Sequence, residues 1–470
     1  MDNKNFLQKT IDYGLLLTLL VFPFLFKIAL ISLTDVGHPL IEINFSMADL
    51  IIGFILILWI LKLAIYNEWK QIKFPPIPVL LFIGTGILSF VNAFSIGQWV
   101  KEIIQLSEYF FLFYLLLINN FRTFGPTAIK NTLFFTTSIM LITAFIQYSA
   151  GKSDPFLVKG ISENRNTLGM FLCMIIPLVY SELLASNKLS KKIWMALILL
   201  LVCVVLLSVS AIFAISISLF IMNWLFNKRL FQKFLIGIIL LGVAYILIFP
   251  QKNKNAIKDF TSIYEQGKIS ENYYRSTNAA SYFNNNQFLF KFKKSIKGNY
   301  LYIFTNKLFL FQIPNTLSGD RYEDIDNEKH IKNRYLNMVA ALNLIFDHPV
   351  FGCGLGNYQD FISKYFIGFP KINTAEPTQE NTYLIVGSTT GIIGLAALLY
   401  LLFSRLKLTY GIYRRFPENS IRLFHLGLFG SLIAIMINSF FVYLFSASVI
   451  VPFILILYFS SSYYQSDKAF

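Results

Sequence analysis

The sequence predicts an all-α polytopic membrane protein, and two observations carry the prediction. Of the 470 residues, 56% are hydrophobic and only 14% are charged, and the mean hydropathy is +0.59, a balance that is not typical of soluble domains. Apolar runs also recur along the whole chain, each with roughly the 20 residues that a helix needs to cross a hydrocarbon core of about 30 Å. We therefore expect about 12 transmembrane helices, with one large extracytoplasmic loop domain before the tenth helix.

The helices are predicted in chain order from these apolar runs. The first run follows the charged segment from Asp2 to Lys9 and is longer than a signal-peptide core, so we expect a retained helix. The run from Ile193 to Phe226 has no charged residue and would measure about 51 Å as one helix, so it is predicted to form two crossings. The predicted helices are residues 12–33, 46–66, 76–95, 103–120, 128–149, 166–185, 193–208, 211–226, 233–250, 381–404, 423–445 and 447–463.

Lysine and arginine are distributed unevenly over the short loops. Basic residues lie on both sides of the run from 193 to 226, which predicts that both of its ends face the cytoplasm. The other short loops alternate in the same sense, so both chain termini are predicted to be cytoplasmic and the long polar segment extracytoplasmic. The basic residues that flank the run are Lys188, Lys191, Lys192, Lys228, Arg229 and Lys233.

Three parts of the chain follow from this topology. We expect a membrane domain of about nine helices over residues 1–250, an extracytoplasmic loop domain over 251–380, and a membrane domain of about three helices over 381–470. Topology and anionic lipid account for the net charge of +15, so membrane lipids are expected partners and nucleic acid is not. The three cysteines have no CxxC spacing and form no disulfide framework, and neither a metal nor a cofactor is expected.

The second half of the long polar segment has an ordered pattern. Apolar positions keep helical spacing over residues 329–346, and His348-Pro349 is predicted to end that helix. Three glycines follow within residues 351–357, where flexible backbone allows a sharp turn or the close approach of a ligand. Because no strand precedes these glycines, they do not predict a dinucleotide loop.

The motifs of this region resemble those of the O-antigen ligase and O-antigen polymerase superfamily. They occur in the order Arg334, Ala340-Ala341-Leu342, Asp347-His348-Pro349-x-Phe-Gly-x-Gly-x-Gly-Asn357, the helix start Asn381-x-Tyr-Leu, and Gly391-x-x-Gly394. Upstream, Glu163-Asn-Arg-Asn-Thr-Leu-Gly169 is similar to an Asn-rich helix start of the family. The plan of about 12 helices with one large outer loop before the tenth also agrees with the family.

The resemblance implies a metal-independent enzyme that transfers glycan from an undecaprenyl-diphosphate carrier to an acceptor sugar hydroxyl, in building cell-envelope polysaccharide such as the glycan of lipopolysaccharide. It implies the outer face of a bacterial inner membrane as the place of reaction, and a glycan or a lipid core as the acceptor. In such a reaction cations hold the diphosphate leaving group, and a base accepts the proton of the acceptor hydroxyl.

Two residues are predicted to be catalytic on this resemblance. Arg334 occupies the family's outer-loop arginine position and is assigned to the diphosphate, which guanidinium binds with paired hydrogen bonds. Glu380 stands where ligases have histidine, and its carboxylate is assigned as the base. The alternatives are a solvated charge on an amphipathic helix for Arg334 and a charge at a helix N-terminus for Glu380.

The substrate-binding residues are less directly specified. At the turn Ser208-Val209-Ser210-Ala211 the family has a second arginine, and this chain has none. Its role would fall to Arg165, Arg321, Lys159 or one of the loop lysines. Arg165 is preferred because it lies at a helix N-terminus, where backbone N–H groups favour anions. An interfacial anchor is the alternative for Arg165. The motif residues Asn381 and His348 complete the predicted set.

Several alternatives remain open at the level of function. A polymerase is favoured because the ligase histidine is missing, whereas a ligase would join polymer to a lipid core or protein. A non-catalytic glycan-binding relative and a lipid-glycan transporter are the other hypotheses. Gly387, Gly391 and Gly394 are predicted to share one helix face for close packing. Four polar residues are predicted to line the donor's groove or to form one interhelical network, and they are Asp49, Glu102, Gln105 and Glu108.

Overall fold

The computed structural model describes most of two stretches at the ends of the chain and one segment between them. The described residues are 3–24, 27–35, 38–120, 125–150, 159–162, 164–205, 208–226, 338, 341–362, 381–416 and 419–466. They belong almost entirely to one compact unit, formed by Met1–Lys228, Leu342–Phe361 and Glu380–Phe470. The predicted helix at 233–250 lies outside the described residues, as does the predicted loop domain except for residues 338 and 341–362.

The N-terminal part combines two helices with a β-hairpin. Its elements are α1 (Asn3–Val21), β1 (Lys27–Asp35), β2 (His38–Ser46) and α2 (Met47–Tyr66), and the two strands are antiparallel. The prediction of a helix over residues 12–33 is therefore wrong beyond Val21. Pro23 explains the early end, because proline donates no backbone hydrogen bond and disfavours helical backbone at the residue before it. The hairpin is the described exception to an all-α fold.

Three helices come next, and a tight turn joins the first two of them. They are α3 (Ile77–Leu88), α4 (Ile96–Ser107) and α5 (Tyr114–Asn119). A 3₁₀ turn extends α3 to Asn92, and a π-helical turn (Glu108–Phe113) connects α4 with α5. The helix predicted to start at residue 103 starts earlier, because the Ser95 side chain accepts a hydrogen bond from the Gln98 N–H (3.2 Å) and caps α4.

Four helices follow, and two of them confirm the division into two helices predicted for residues 193–226. They are α6 (Gly125–Ser149), α7 (Arg165–Ala185), α8 (Leu189–Val205) and α9 (Val209–Phe226). Because α8 ends at Val205 and α9 begins at Val209, the apolar run is interrupted near its middle, as its length requires.

The C-terminal part contains the longest helix of the described structure. Its elements are α10 (Tyr358–Ile362), α11 (Thr382–Arg415), α12 (Asn419–Asn438) and α13 (Ala447–Ser466). α11 extends well past the predicted end at residue 404, and α12 ends before the predicted residue 445. Residues 341–347 are helical and stop at His348, which agrees with the predicted end before Pro349.

The core is built around α7, which is buried along most of its length. α12 packs along it, and Ser431 Oγ donates a hydrogen bond to the Met174 carbonyl (2.5 Å). Glycines on α12 allow this approach, since a Cβ on Gly427 would lie 2.3 Å from Ser181 Oγ. The centre of the unit is therefore a pair of closely packed helices joined by small and hydroxyl side chains.

Seven helices of the described part are long and apolar enough to cross a membrane. They coincide with α2, α4 continued through α5, α6, α7, α9, α11 and α12. α2 keeps large apolar side chains on its surface, among them Phe54, Ile57 and Ile65, each more than half exposed. Side chains of this kind suit contact with lipid rather than water.

Candidate functional site

A loop with three glycines packs against a break in α11. We call residues 349–357 the glycine loop; the break is at Gly391, whose backbone has φ 73° and ψ −174°. The two segments are joined by backbone N–H groups donating to carbonyl oxygens, from Cys353 to Ser388 (2.8 Å), from Gly354 to Thr389 (3.0 Å) and from Ile392 to Pro349 (2.8 Å). The glycine loop thus satisfies backbone groups next to the break.

This contact requires glycine on both sides. A Cβ on Gly391 would lie 2.1 Å from the Val350 carbonyl oxygen, and one on Gly352 would lie 2.3 Å from the Thr389 carbonyl carbon. Both glycines also have positive φ. The prediction that Gly391 shares a packing face with Gly387 is therefore wrong. The non-helical backbone at Gly391 interrupts the helical repeat that would place the two glycines on one face.

The turn between α3 and α4 holds the glycine loop from the other side. Asn357 is fully buried, and its amide makes hydrogen bonds with both backbone groups of Ser95, to the N–H at 2.5 Å and to the carbonyl at 3.2 Å. Asn92 Nδ2 donates to the Gly352 carbonyl (2.9 Å), and the Leu355 N–H donates to Ser89 Oγ (3.0 Å). The turn, the loop and the break form one hydrogen-bonded unit, which we call the joint.

The first residues of α11 are fixed by the turn that follows α12. Asn381 caps α11 by accepting a hydrogen bond from the Leu384 N–H (3.1 Å). The Thr382 hydroxyl donates to the Val442 carbonyl (2.8 Å) and accepts from the Leu444 N–H (2.9 Å). Several hydrogen bonds therefore fix the start of α11. A fixed backbone of this kind is suited to hold a substrate-binding side chain in place.

Two predicted substrate-binding residues lie on the segments that meet at the joint. Asn381 is the α11 cap, and His348 precedes the glycine loop. The His348 ring contacts Phe361 edge-on, with 5.3 Å between ring centroids, and its carbonyl accepts a hydrogen bond from the Gly352 N–H (3.0 Å). Both residues have structural contacts here, and a role in substrate binding stays a prediction.

The other two described candidates lie before α7. Lys159 is exposed, and its backbone N–H donates to Gln147 Oε1 (3.0 Å). Arg165 is the first residue of α7, whose cap, Asn164, accepts a hydrogen bond from the Thr167 N–H (2.9 Å). Arg165 is partly buried at this helix start, so the predicted location at a helix N-terminus is confirmed.

The turn at Ser208 lies beside Asn166, the residue that follows Arg165. Ser208 Oγ donates to Oδ1 of Asn166, the residue after Arg165 (3.5 Å). A Cβ on Gly169 would lie 2.9 Å from the Ala211 Cβ, so the start of α9 packs closely on α7. The fold thus places the turn at Ser208 against the start of α7, where Arg165 lies.

The two groups of candidates lie at the same end of α12. Asn438, its last residue, points Nδ2 at Met170 Sδ of α7 (3.6 Å), and the carbonyl of Ser439 accepts a hydrogen bond from the Thr382 N–H (2.9 Å). The C-terminal end of α12 therefore contacts the first turns of both α7 and α11. Arg165 and Asn381 therefore stand at the starts of two helices, α7 and α11, that both contact this end of α12. The remaining predicted residues, Glu380, Arg334 and Arg321, lie outside the described residues.

A cavity of about 700 Å³ lies between α2 and α4 with its π-helical continuation. Its wall is apolar except for a few groups that include Asp49, Ser107 and Glu108. Asp49 accepts hydrogen bonds from the Ser46 N–H (2.6 Å) and from the Tyr109 hydroxyl. Asp49 is therefore both part of an interhelical network and part of the cavity wall, whereas Glu102 is not among the residues that line the cavity.

Two ionisable groups of the joint are held in their neutral forms. Burial raises the pKa of the Cys353 thiol to about 12. Burial also raises the pKa of the Tyr358 phenol above its ordinary value. Neither group is ionised at neutral pH, so they contribute packing. Among the described residues there is no group of three or more His, Cys, Asp or Glu side chains that could hold a metal ion.

The helices and the joint define a multi-pass membrane protein with a hydrogen-bonded junction at one end of its core. Residues 194–399 match the O-antigen ligase family (Wzy_C), a stretch that runs from α8 through the joint into α11. The match confirms the resemblance to the O-antigen ligase and polymerase superfamily. It supports a membrane glycan-transferring enzyme of that kind. No curated protein matches the chain.

The sequence did not indicate the partners of the glycine loop. Asn92 and Ser95 bond to residues more than 250 positions away in the chain. The loop sequence does contain one indication of these contacts. Asn357 follows three alternating glycines, and a buried amide after such a turn needs hydrogen-bond partners.

Proposed function

We propose that the protein transfers glycan from an undecaprenyl-diphosphate carrier to an acceptor sugar hydroxyl, and that it acts as a polymerase of surface polysaccharide or O-antigen. The family match supports the glycan-transferring class. The preference for a polymerase rests on Glu380, which stands where the ligases of the family have histidine. A ligase, which differs in its acceptor, is the alternative.

The anchored start of α11 is the observation that carries this proposal. Glu380 directly precedes Asn381, the cap of α11, and Thr382 is fixed by two hydrogen bonds of its hydroxyl. A carboxylate that directly precedes such a rigid backbone in sequence is suited to act as a base on an acceptor hydroxyl. The joint adds to this rigidity, because the glycine loop forms backbone hydrogen bonds with Ser388 and Thr389, which lie further along α11.

Cations are needed to stabilise the diphosphate leaving group. We assign this role to Arg334 and Arg165, with Arg321 and Lys159 as further contacts of the glycan or diphosphate. Support for Arg165 comes from its neighbour Asn166, which contacts Ser208 in the turn that lacks the family arginine. Because guanidinium binds phosphate with paired hydrogen bonds, one arginine at this place can replace another from a neighbouring helix.

We place the reaction on the outer face of the bacterial inner membrane, with residues 251–380 as an extracytoplasmic domain between membrane parts 1–250 and 381–470. The uneven distribution of lysine and arginine supports this topology, with both termini in the cytoplasm. A single cysteine placed near Asn284 tests it. Labelling by an impermeant reagent from the outside is expected, and labelling only from the cytoplasmic side would contradict the topology.

The catalytic assignment is tested by two substitutions and a matched control. We expect Glu380→Gln and Arg334→Ala each to abolish glycan transfer, because one removes the base and the other removes the cation at the diphosphate. Arg414→Ala, at an exposed position near the end of α11, should retain transfer. All three variants should reach the membrane in equal amounts. Full activity in Glu380→Gln and Arg334→Ala would disprove the mechanism.

Deletion of the gene separates the polymerase from its alternatives. Surface glycan that carries a single repeat unit on its final carrier is the result expected for a polymerase. Full-length polymer that accumulates on the lipid carrier would instead identify a ligase. Unchanged chain length together with an unchanged amount of surface glycan would exclude both enzymes and leave a glycan-binding or transport role.

A further inference from the structure

The cavity between α2 and α4 has no part in the proposed transfer reaction. Its volume of about 700 Å³ lies within the range of about 300–1,000 Å³ that is usual for sites that bind small molecules. The side chains that line it are apolar, except for Asp49, Ser107 and Glu108. An apolar wall with a few polar groups is typical of a site for an apolar ligand that carries a polar group.

The open side of the cavity faces lipid. α2, and α4 continued through α5, are both long and apolar enough to cross a membrane. Three side chains that line the cavity are also exposed: Phe54 and Ile57 are each 59% exposed, and Ile104 is 37% exposed. Apolar side chains on the surface of membrane-crossing helices contact hydrocarbon chains. A ligand of this cavity therefore enters from the bilayer.

One acid in the wall has no partner in the described part of the chain. Asp49 accepts hydrogen bonds from the Ser46 N–H (2.6 Å) and from the Tyr109 hydroxyl, so both of its carboxyl oxygens are bonded. Glu108 lines the same cavity and forms neither a hydrogen bond nor an ion pair with the described residues. A polar group in apolar surroundings is costly without a partner, so the Glu108 carboxyl is suited to bind a ligand.

The backbone at Glu108 also departs from a regular helix. α4 changes into a π-helical turn at this residue, and the turn ends at Phe113. π-helical turns are rare in general but frequent at functional sites. Tyr109, the next residue of the turn, bonds through its hydroxyl to Asp49 of α2. The π-helical turn therefore places Glu108 beside the first turn of α2, in the polar part of the cavity wall.

We propose that the cavity binds one acyl chain of a glycerophospholipid, and that Glu108 donates a hydrogen bond to the ester carbonyl of this chain. A carboxyl group in an apolar wall is least costly in its protonated form, which has an O–H donor. The ester carbonyl is an acceptor, and it lies where the acyl chain joins the headgroup. From Asp49 the wall continues along α2 to Ile57, about 12 Å at 1.5 Å per residue. The chain beyond the ester therefore has apolar contacts along these turns of α2.

The lipid-linked glycan donor is less suited to this cavity. Its polar group is a diphosphate, which needs cations, and the described residues that line the cavity include no lysine, arginine or histidine. A polyprenyl chain also has no carbonyl that could accept a hydrogen bond from Glu108. A glycerophospholipid carries this acceptor next to its apolar chain, so both parts of the wall have a matching group.

The cavity and the joint share one short helix. α4 lines the cavity with Ile103 and Ile104, while its cap, Ser95, is bonded on both backbone groups by Asn357 of the glycine loop. An acyl chain in the cavity would fill the space between this helix and α2. Binding is therefore expected to stabilise the helix that holds the joint.

A photo-reactive phospholipid tests the location of the site. A phosphatidylethanolamine with a diazirine in one acyl chain is irradiated with the full-length protein in detergent, and mass spectrometry identifies the labelled residues. Labelling is expected within residues 49–57 and 103–112. Gly53→Leu should reduce it severalfold, because Gly53 lines the cavity and its added Cβ meets no atom within 4 Å, so the leucine takes the space of the ligand.

Gly84→Leu in α3 is the matched control for this substitution. Its added Cβ also meets no atom within 4 Å, but Gly84 does not line the cavity, so labelling should equal that of the wild type. Labelling that Gly53→Leu leaves unchanged would overturn the proposal.

Competition between two unlabelled lipids tests the role of Glu108. One is a diester phosphatidylethanolamine, and the other is its diether analogue, which lacks the carbonyls. With the wild type the diester should compete about fivefold more strongly, the effect of one hydrogen bond. Glu108→Leu should abolish this preference, whereas Glu108→Gln, whose amide keeps a donor, should retain it. Equal competition by the two lipids in the wild type would overturn the proposal.

Undecaprenyl phosphate serves as a third competitor. Little displacement of the photo-reactive lipid at equal concentration is the expected result. Complete displacement would assign the cavity to the carrier chain and overturn the proposal. None of these measurements involves glycan transfer, so their outcome is independent of the proposed function.

Discussion

Replacement of Gly391 by alanine tests the structural core of the site. The backbone at Gly391 lies in a region that is essentially restricted to glycine, so an alanine there costs about 1–3 kcal/mol in strain. Its Cβ would also meet the Val350 carbonyl oxygen at 2.1 Å, its carbon at 2.4 Å and the Phe351 nitrogen at 2.7 Å. These are backbone atoms, so the glycine loop as a whole would have to move.

Movement of the loop endangers the three backbone hydrogen bonds between it and α11. At about 1 kcal/mol for each bond, together with the strain, we expect Gly391→Ala to destabilise the protein by about 2–6 kcal/mol. Gly411→Ala in the same helix is the matched control. No atom lies within 4 Å of its added Cβ, and alanine in a helix interior is favoured over glycine by about 0.5–1 kcal/mol.

The assay is thermal unfolding in detergent, followed by tryptophan fluorescence at one fixed heating rate because unfolding of membrane proteins is commonly irreversible. Gly391→Ala should lower the midpoint clearly, whereas Gly411→Ala should leave it unchanged or raise it slightly. Equal midpoints for the two variants would refute the conclusion that the glycine loop packs against a break in α11.

Three further predictions use the same assay. Asn357→Ala should destabilise the protein by about 1–3 kcal/mol, because it removes both hydrogen bonds that the buried Asn357 amide makes with the backbone of Ser95, and a midpoint equal to that of the wild type would contradict this role of Asn357. Thr382→Val should lower the midpoint more than Thr409→Val, because the Thr382 hydroxyl joins two chain segments while that of Thr409 bonds only within its own helix, to Arg405; equal effects would show that the link is unimportant. The Glu68 pKa is lowered chiefly by its hydrogen bond to Lys4 and also by the charge of Lys62, so its stabilising effect is present above the ordinary pKa of 4.5 and is lost as the pH falls through the lower folded value. The difference in midpoint between wild type and Glu68→Gln should accordingly shrink from pH 7 toward acid, and a growing difference would reverse the assigned sign.

Most of the helical plan was accessible from the sequence because lipid imposes a simple rule. A chain that crosses hydrocarbon must satisfy its backbone internally, so long apolar runs become helices. The division of the run from 193 to 226 followed from its length and from the basic residues on both sides of it, and α8 and α9 confirm that the run forms two helices. The first predicted helix is wrong beyond Val21 because Pro23 ends α1 within a run that is apolar past this point.

The candidate site was less accessible. The motifs identified the family, which the match over residues 194–399 supports, and they marked the stretch that forms the joint. They could not indicate that Gly391 breaks a helix, because glycine at helical spacing is equally compatible with a packing face. The decisive information was the position of the Val350 carbonyl, which belongs to a segment separated from Gly391 in the chain.

The sequence by itself determined the class of the protein, the apolar helices and the motif stretch from Arg334 to Gly394. These depend on composition and local spacing, which are properties of neighbouring residues. The tertiary structure decided how Asn357, Ser95 and Gly391 meet in one joint, and that Asn166, the residue after Arg165, contacts the turn at Ser208. Such contacts depend on side-chain shape and hydrogen bonding between distant segments, and no periodicity along the chain encodes them.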